Sequence, residues 1–196
     1  MSAPRLASWY LSYGMSATCD AESIRDSAVR RVARLAARQH GVLSRAHALK
    51  CGVSPRTIDR RLATGVWEPL YPGAYRLAGS PRTWRQSLLA ACLAWGEGAV
   101  VSHCAAAALW GFPGFLARIV ELSVPRGRQR AHRGTVHRPV SLAAVDVTTI
   151  DAIPVTTVAR TLIDIAACVP PEVVEEALDD VLRRELVTIP PAVATP

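Results

Sequence analysis

Two helix-start signals, ten residues apart, constrain this chain more than any bulk property does. Leu43 to Gly52 reads as a short helix with Ser44 as its N-cap and Gly52 as its terminal glycine. Immediately beyond it, Ser54-Pro55 opens a second helix that runs through Arg56-Thr57-Ile58-Asp59-Arg60-Arg61-Leu62 and ends at Gly65. A capping serine accepts a hydrogen bond from an otherwise unpaired N–H of the first turn, and proline at the first helical position has its φ already set. Glycine past a helix end takes the left-handed conformation that other residues resist. Caps and glycine together force two helices to meet across a turn of about three residues.

The flanking sequence completes the unit. Ile24, Ala28, Val32, Leu35 and Ala36 recur at three- and four-residue steps, predicting a helix from about Ser23 to His40, stopped by Gly41. After Gly65, Val66 to Leu70, a Tyr71-Pro72-Gly73 turn and Ala74 to Leu77 read as a β-hairpin. Helix, short helix, tight turn, basic helix and hairpin in that order make a winged helix-turn-helix. Ile58 and Leu62, four apart, face its core and leave Arg56, Thr57, Arg60, Arg61 and Thr64 outward. Arginine grips two phosphate oxygens or the O6/N7 edge of guanine, and threonine reaches a base edge or a phosphate. Ser44 and Ser54 at helix starts, with Arg45 beside the first, suit the DNA backbone, and Tyr71 and Tyr75 are placed on the wing. A solvated basic helix with no nucleic-acid role is the plainer alternative for the arginines taken alone.

Charge supports this placement once it is divided. The 196 residues carry a net +7, but Ile24–Val140 holds 19 basic and 5 acidic residues, whereas Ser141–Pro196 holds 3 and 9. Half the chain is apolar, which excludes a disordered polymer. The five cysteines (Cys19, Cys51, Cys92, Cys104, Cys168) are odd in number and contain no C-x-x-C pair, so neither a disulfide framework nor a zinc site is expected, and no cofactor is implied. The N-terminus lacks the apolar core of a signal peptide, and the longest apolar stretch, Leu88 to Trp95, is too short to span a bilayer. A cytoplasmic protein without membrane contact is the expectation. Residues 1–22 read as a flexible leader, with Met15-Ser16 a second possible start, and residues 188–196 as a frayed tail.

Beyond Gly79-Ser80-Pro81, read as a linker turn, residues 82–187 form a small mixed α/β unit, so the chain is expected to be α+β with a winged helix-turn-helix at 23–79. Its segments are a helix Trp84–Trp95, a strand Ala99–Ser102, a helix Ser102–Trp110, strands Ile119–Val124 and Thr135–His137, extended Val145–Ile150 and Ile153–Val155, and two helices. The last helix, from Pro170-Pro171, carries Glu172, Glu175, Glu176, Asp179 and Asp180 before Arg183-Arg184, either as helix-dipole chemistry or as a surface for a partner protein. The loop Arg126, Arg128, Arg130 is either a solvated turn or a second phosphate contact. Ser102-His103 invites a nucleophile–base reading, but neighbours at a helix start rarely face each other, and Ser102 fits better as an N-cap. Asp179-Asp180 face different directions, and Gly96-Glu97-Gly98 has neither the length nor the lysine of a phosphate loop, so no catalytic or metal residue is assigned. Trp67, Trp84, Trp95 and Trp110 read as core.

Several of these strings carry a family resemblance. Gly41-Val42-Leu43-Ser44-Arg45-Ala46, Gly52-Val53-Ser54, Ile58, Arg60-Arg61 and Tyr71-Pro72-Gly73-Ala74-Tyr75 resemble the N-terminal winged domain of AbiEi-type antitoxins of type IV toxin–antitoxin systems. Ser102-His103, Ala105 to Gly111, Ile153-Pro154-Val155-Thr156 and Ala159-Arg160-Thr161-Leu162-Ile163-Asp164 are similar to the second domain of the same proteins. The resemblance spans about residues 25–186. It implies a repressor that binds double-stranded DNA at its own operator and counters a nucleotidyltransferase-like toxin, and it implies no enzymatic activity. Many relatives continue into a domain like very-short-patch-repair endonucleases. Here the only lysine, Lys50, lies in the helix-turn-helix, so a D…(D/E)-x-K nuclease centre is not available. A protein-interaction module without a DNA role, or a remnant of a nuclease-bearing relative, are the competing expectations.

Overall fold

A computed structural model of the chain describes residues 17–127 and 134–187, and side chains from residue 27 onward. Among the described residues there are seven α-helices and two β-sheets, an α+β fold. The first helix, α1 (Ala17–Ala37), begins ahead of the expected Ser23, so residues 17–22, expected in a leader, are helical. Residues 1–16 and 188–196 lie outside the described residues. After Gly41 comes a strand, β1 (Val42–Ser44), where the residue pattern predicts the beginning of the short helix. Val42 and Leu43 are fully buried, and pairing with the hairpin, Leu43 opposite Tyr75, holds them extended. Helix α2 (Arg45–Lys50) and helix α3 (Pro55–Ala63) follow, then β2 (Trp67–Tyr71) and β3 (Ala74–Leu77). The sheet runs β1-β3-β2, all antiparallel, with a bulge between Pro69 and Tyr71. A bulge there suits proline, which cannot donate to a ladder.

The winged unit closes over Ala28, Val32, Ala36, Leu43, Ala48, Val53, Ile58, Trp67 and Tyr75. Arg76, buried on β3, sends Nε and Nη2 to Glu68 Oε2 at 2.9 and 2.6 Å and Nη1 to the Ser80 carbonyl at 2.8 Å. These bonds fix the hairpin to the turn that leaves it. The Arg76 guanidinium beside Glu68, helped by Arg82, holds that carboxyl below its ordinary range.

The second half consists of α4 (Trp84–Trp95), β4 (Val100–Val101), α5 (His103–Trp110), β5 (Glu121–Ser123), β6 (Thr135–His137), β7 (Val147–Ile150), β8 (Ile153–Thr156), α6 (Val158–Ala166) and α7 (Pro171–Arg183). Its mixed sheet has the order β6-β5-β4-β8-β7. Strands β4 and β8 are parallel, as are β5 and β6; the other pairs are antiparallel. Leu88, Leu89, Trp95, Val101, Leu109, Leu122, Ile153 and Val155 form the core under this sheet. Trp67 and Trp95 are buried, while Trp84 and Trp110 are partly buried and donate their indole N–H to the carbonyls of Ile119 and Thr156.

Helix α4 belongs to both halves. Its Ala90 and Ala94 pack on Val42 and Ala74 of the first sheet, while its larger side chains enter the core of the second. Gln86, 2% exposed, donates to the His40 carbonyl at 2.8 Å, and His40 Nε2 meets the Asp151 carbonyl at 2.8 Å. Arg85 pairs with the Asp151 carboxylate. The turn at Gly79-Ser80-Pro81 therefore leads into a helix that packs on the winged unit it leaves.

Candidate nucleic-acid interface

The basic helix α3 is held at both ends. Ser54 Oγ accepts from Thr57 N at 3.3 Å and meets Thr57 Oγ1 at 2.9 Å, Pro55 occupies the first turn, and Thr64 Oγ1 donates to the Arg60 carbonyl at 2.9 Å. At the start of α2, Ser44 Oγ accepts from His47 N at 3.0 Å. Ile58 is the fully buried anchor of α3 and Leu62 its partly buried companion. Arg45 Nη1 bonds Asp59 Oδ1 at 2.9 Å, bracing α2 against α3. On the far side, Arg31 donates twice to the Cys51 carbonyl, at 2.8 and 3.1 Å, and closes the C-terminus of α2.

The residues expected at DNA separate into three groups. Arg56 and Arg60 are exposed, and no ion pair or hydrogen bond from either guanidinium is present among the described residues. Arg45 and Thr57 are part-exposed, each engaged by a neighbour that it can exchange for a phosphate. Ser44 is 7% exposed with its hydroxyl spent on the cap, so only its helix start is available, whereas Ser54 remains exposed.

Two expectations need correction here. Arg61 is half-buried, its guanidinium carbon lies 5.7 Å from the Trp67 ring centroid, and its Nε is buried without a hydrogen-bond partner. It faces the hairpin because α3 packs on β2. Tyr75 is 6% exposed and stacks on Trp67 at 6.2 Å, because alternation along β3 turns it inward. Tyr71 is partly buried against α4. The tip of the hairpin is tied to the start of α2, where Arg45 N donates to the Gly73 carbonyl at 2.8 Å.

The remaining expected surfaces fare unequally. Arg126 is exposed; Arg128 and Arg130 lie outside the described residues. On α7, Glu172, Glu175, Glu176 and Asp179 are exposed or nearly so. Asp180 is not part of that surface: it is 8% exposed and binds Arg183 and Arg184, while Arg184 Nη2 donates to the Trp110 carbonyl at 3.0 Å. The helical period turns Asp180 to the packed face of α7 with Ala177 and Val181, and the Arg184 bond lowers its pKa.

A second constellation, which the sequence pattern does not reveal, gathers around Ser102. Its hydroxyl caps nothing. Ser102 Oγ meets Ser123 Oγ and His103 Nδ1, both at 2.9 Å, and both serines are wholly buried. The expectation that Ser102 and His103 face apart fails because His103 takes φ +52°, a left-handed conformation that is uncommon outside glycine. That backbone swings its ring onto His137, with centroids 3.5 Å apart and planes 11° apart. His137 Nε2 bonds Glu121 Oε1 at 2.7 Å, and Glu121 Oε2 accepts from Cys104 N at 3.0 Å, neutralising the first turn of α5. Burial, then the neighbouring His137, lowers the pKa of His103 and favours its neutral form. Burial pushes the Cys104 thiol up to about 11 and that of Cys92 up to about 12, so neither is a ready nucleophile.

Comparison with known proteins bears on the first constellation. Residues 30–78, from α1 to the end of the hairpin, match the family model described as a transcriptional regulator, AbiEi antitoxin. That segment is a quarter of the chain and holds all of α2, α3, β2 and β3. No curated protein matches the chain. Among the described residues, no helix is long and apolar enough to cross a membrane.

Proposed function

We propose that this chain, whose residues 30–78 match AbiEi antitoxin regulators, is an operator-binding repressor and antitoxin of a type IV toxin–antitoxin operon. One observation carries the DNA reading: Arg56 and Arg60 stand exposed, with no partner among the described residues, on a helix held by its caps and by buried Ile58. The held helix fixes where the two side chains start, and the planar guanidinium fork reaches guanine edges bidentately. Helix α3 enters the major groove with Arg56, Thr57 and Arg60. Arg45, released from Asp59, Ser54 and the helix start at Ser44 hold phosphates. The exposed acids of α7, Glu172, Glu175, Glu176 and Asp179, are the surface offered to a nucleotidyltransferase-like toxin, and the chain has no enzymatic role of its own in this reading.

The test is fluorescence anisotropy of the full chain on its own upstream region across a salt series. Log affinity should fall linearly with log salt, with a slope near −0.9 for each phosphate neutralised. Arg56→Ala with Arg60→Ala should weaken binding by about 1–3 kcal/mol for each base edge that goes unread. A flat salt dependence, or full binding by the double variant, refutes the assignment of α3.

A further inference from the structure

We infer that His103, Glu121 and His137 form a binding site for a zinc-class divalent cation, held between α5 and the edge of the second sheet. One nitrogen from each imidazole and one carboxylate oxygen lie within 4.8 Å of one another. Two imidazoles with a carboxylate are a donor set that zinc accepts and that magnesium or calcium, which take oxygen ligands, do not favour.

The donors are oriented as metal ligands are. Ser102 Oγ engages His103 Nδ1 and leaves Nε2 to face the ion, and Ser123 backs Ser102 in turn. Cys104 N–H holds Glu121 Oε2. Such outer bonds fix the ring face and the carboxylate angle that a bound ion requires.

An independent observation lies on the neighbouring helix. Asp164 on α6 is 6% exposed, and its charge acts on the His103 ring. Its Oδ1 is taken by Arg160 Nε at 2.8 Å, but its Oδ2 is buried with no hydrogen-bond partner. A buried carboxylate oxygen without a partner is costly to keep, and positive charge brought to the His103 ring, which the Asp164 charge already reaches, eases that cost. Arg160 is the charge that opposes the ion from this side; Glu121 and Asp164 favour it.

Loading rearranges the site. Parallel rings 3.5 Å apart cannot both direct an in-plane lone pair at one ion. One imidazole must turn about its Cβ–Cγ bond, the His137–Glu121 hydrogen bond gives way to bonds to the ion, and the donors draw in to about 3.4 Å, the spacing set by tetrahedral bonds near 2.1 Å. Strand β6, an edge strand paired over only Thr135–His137, is then clipped to α5.

The experiment strips the purified full chain with a chelator and titrates it with Zn²⁺ by calorimetry and with Co²⁺ by visible absorption. One ion per chain is expected, with tetrahedral cobalt bands and no intense thiolate charge-transfer band, since the Cys104 and Cys168 thiols are not donors. Zn²⁺ at a hundred-fold excess over its Kd should raise the melting temperature by roughly 5–10 °C. His137→Gln, on the edge strand, and His103→Asn, with a residue that tolerates positive φ, should each cost at least a hundred-fold in affinity while far-UV circular dichroism is retained. Asp164→Asn should weaken binding less than either histidine variant does. No Zn²⁺ binding tighter than millimolar, or a site that survives in both histidine variants, overturns the inference.

Discussion

Adjacent arginines on α3 should answer to different assays. Arg60 is exposed, with no partner among the described residues, so Arg60→Ala removes a group whose proposed role lies only in the DNA complex. Leaving one base edge unread, at about 1–3 kcal/mol, raises Kd roughly 5- to 150-fold, while the unfolding curve stays within about 0.5 kcal/mol of the parent. Arg61 lies over Trp67 at 5.7 Å. A cation–π contact of that kind is worth about 0.5–2 kcal/mol, and the half-buried stem adds on the order of 1 kcal/mol of apolar contact. The unpartnered Nε subtracts from both, so Arg61→Ala should destabilise by about 1–2 kcal/mol. In a chain of this length that is a fall of roughly 2–8 °C in melting temperature. Arg61→Met, which keeps the stem and removes both the charge and the buried Nε, should recover most of the stability. Urea unfolding and anisotropy on the same preparations separate the two effects. If Arg61→Ala leaves stability untouched and weakens DNA binding as much as Arg60→Ala does, the division drawn between them is wrong.

Other contacts in the winged unit and at its junction with α4 set three more outcomes. Gly41 has φ +77°, and a Cβ built there stands 2.5 Å from Ser80 Cβ, so Gly41→Ala should cost about 1–3 kcal/mol in urea unfolding and loosen the junction with α4. Glu68, held below its ordinary 4.5 by Arg76, adds stability that is present above that value and lost as pH falls through its lowered pKa; acid unfolding of Glu68→Gln should be less steep over that range, and an unchanged acid limb would refute the pairing. Ala90→Leu forces a larger side chain between α4 and the first sheet, where Ala90 is fully buried, and should cost about 1–3 kcal/mol by thermal or urea unfolding.

What the sequence made legible was local chemistry. Ser44, Ser54, Pro55 and Gly65 act within a few residues of themselves, so their consequences could be read directly, and the limits of α4 at Trp84 and Trp95 followed from composition alone. Burial was harder. Arg61 and Tyr75 read as outward because helical and strand periods give a face, but which face meets a neighbour depends on where β2 and α3 come to rest. The same limit misplaced Asp180, whose neighbour Asp179 on α7 is exposed. The His103, Glu121 and His137 cluster was beyond local reading. Its members come from a helix start and two parallel strands, apart in sequence, and what brings the helix start to the strands is one positive φ at His103. The one signal available was the Ser102-His103 pair, which the ordinary geometry of a helix start argued against.

Helix α4 shows why the two halves of the chain should be treated as mechanically linked. Its apolar residues surround it, as they must on a helix with a sheet on either side. The small ones, Ala90 and Ala94, lie towards the winged unit, where the backbones approach closely; Leu88, Leu89 and Trp95 fill the wider space beneath the second sheet. Buried Gln86 spends its amide on the His40 carbonyl, and His40 and Arg85 both reach Asp151, at the turn between β7 and β8. A displacement of β8 is therefore felt at the start of β1, and β1 leads without a break into α2. Anything that docks on the second half is linked to α3, the helix proposed to read DNA, through the packed alanines of α4 and the hydrogen bonds of Gln86, His40 and Arg85 rather than through a free linker.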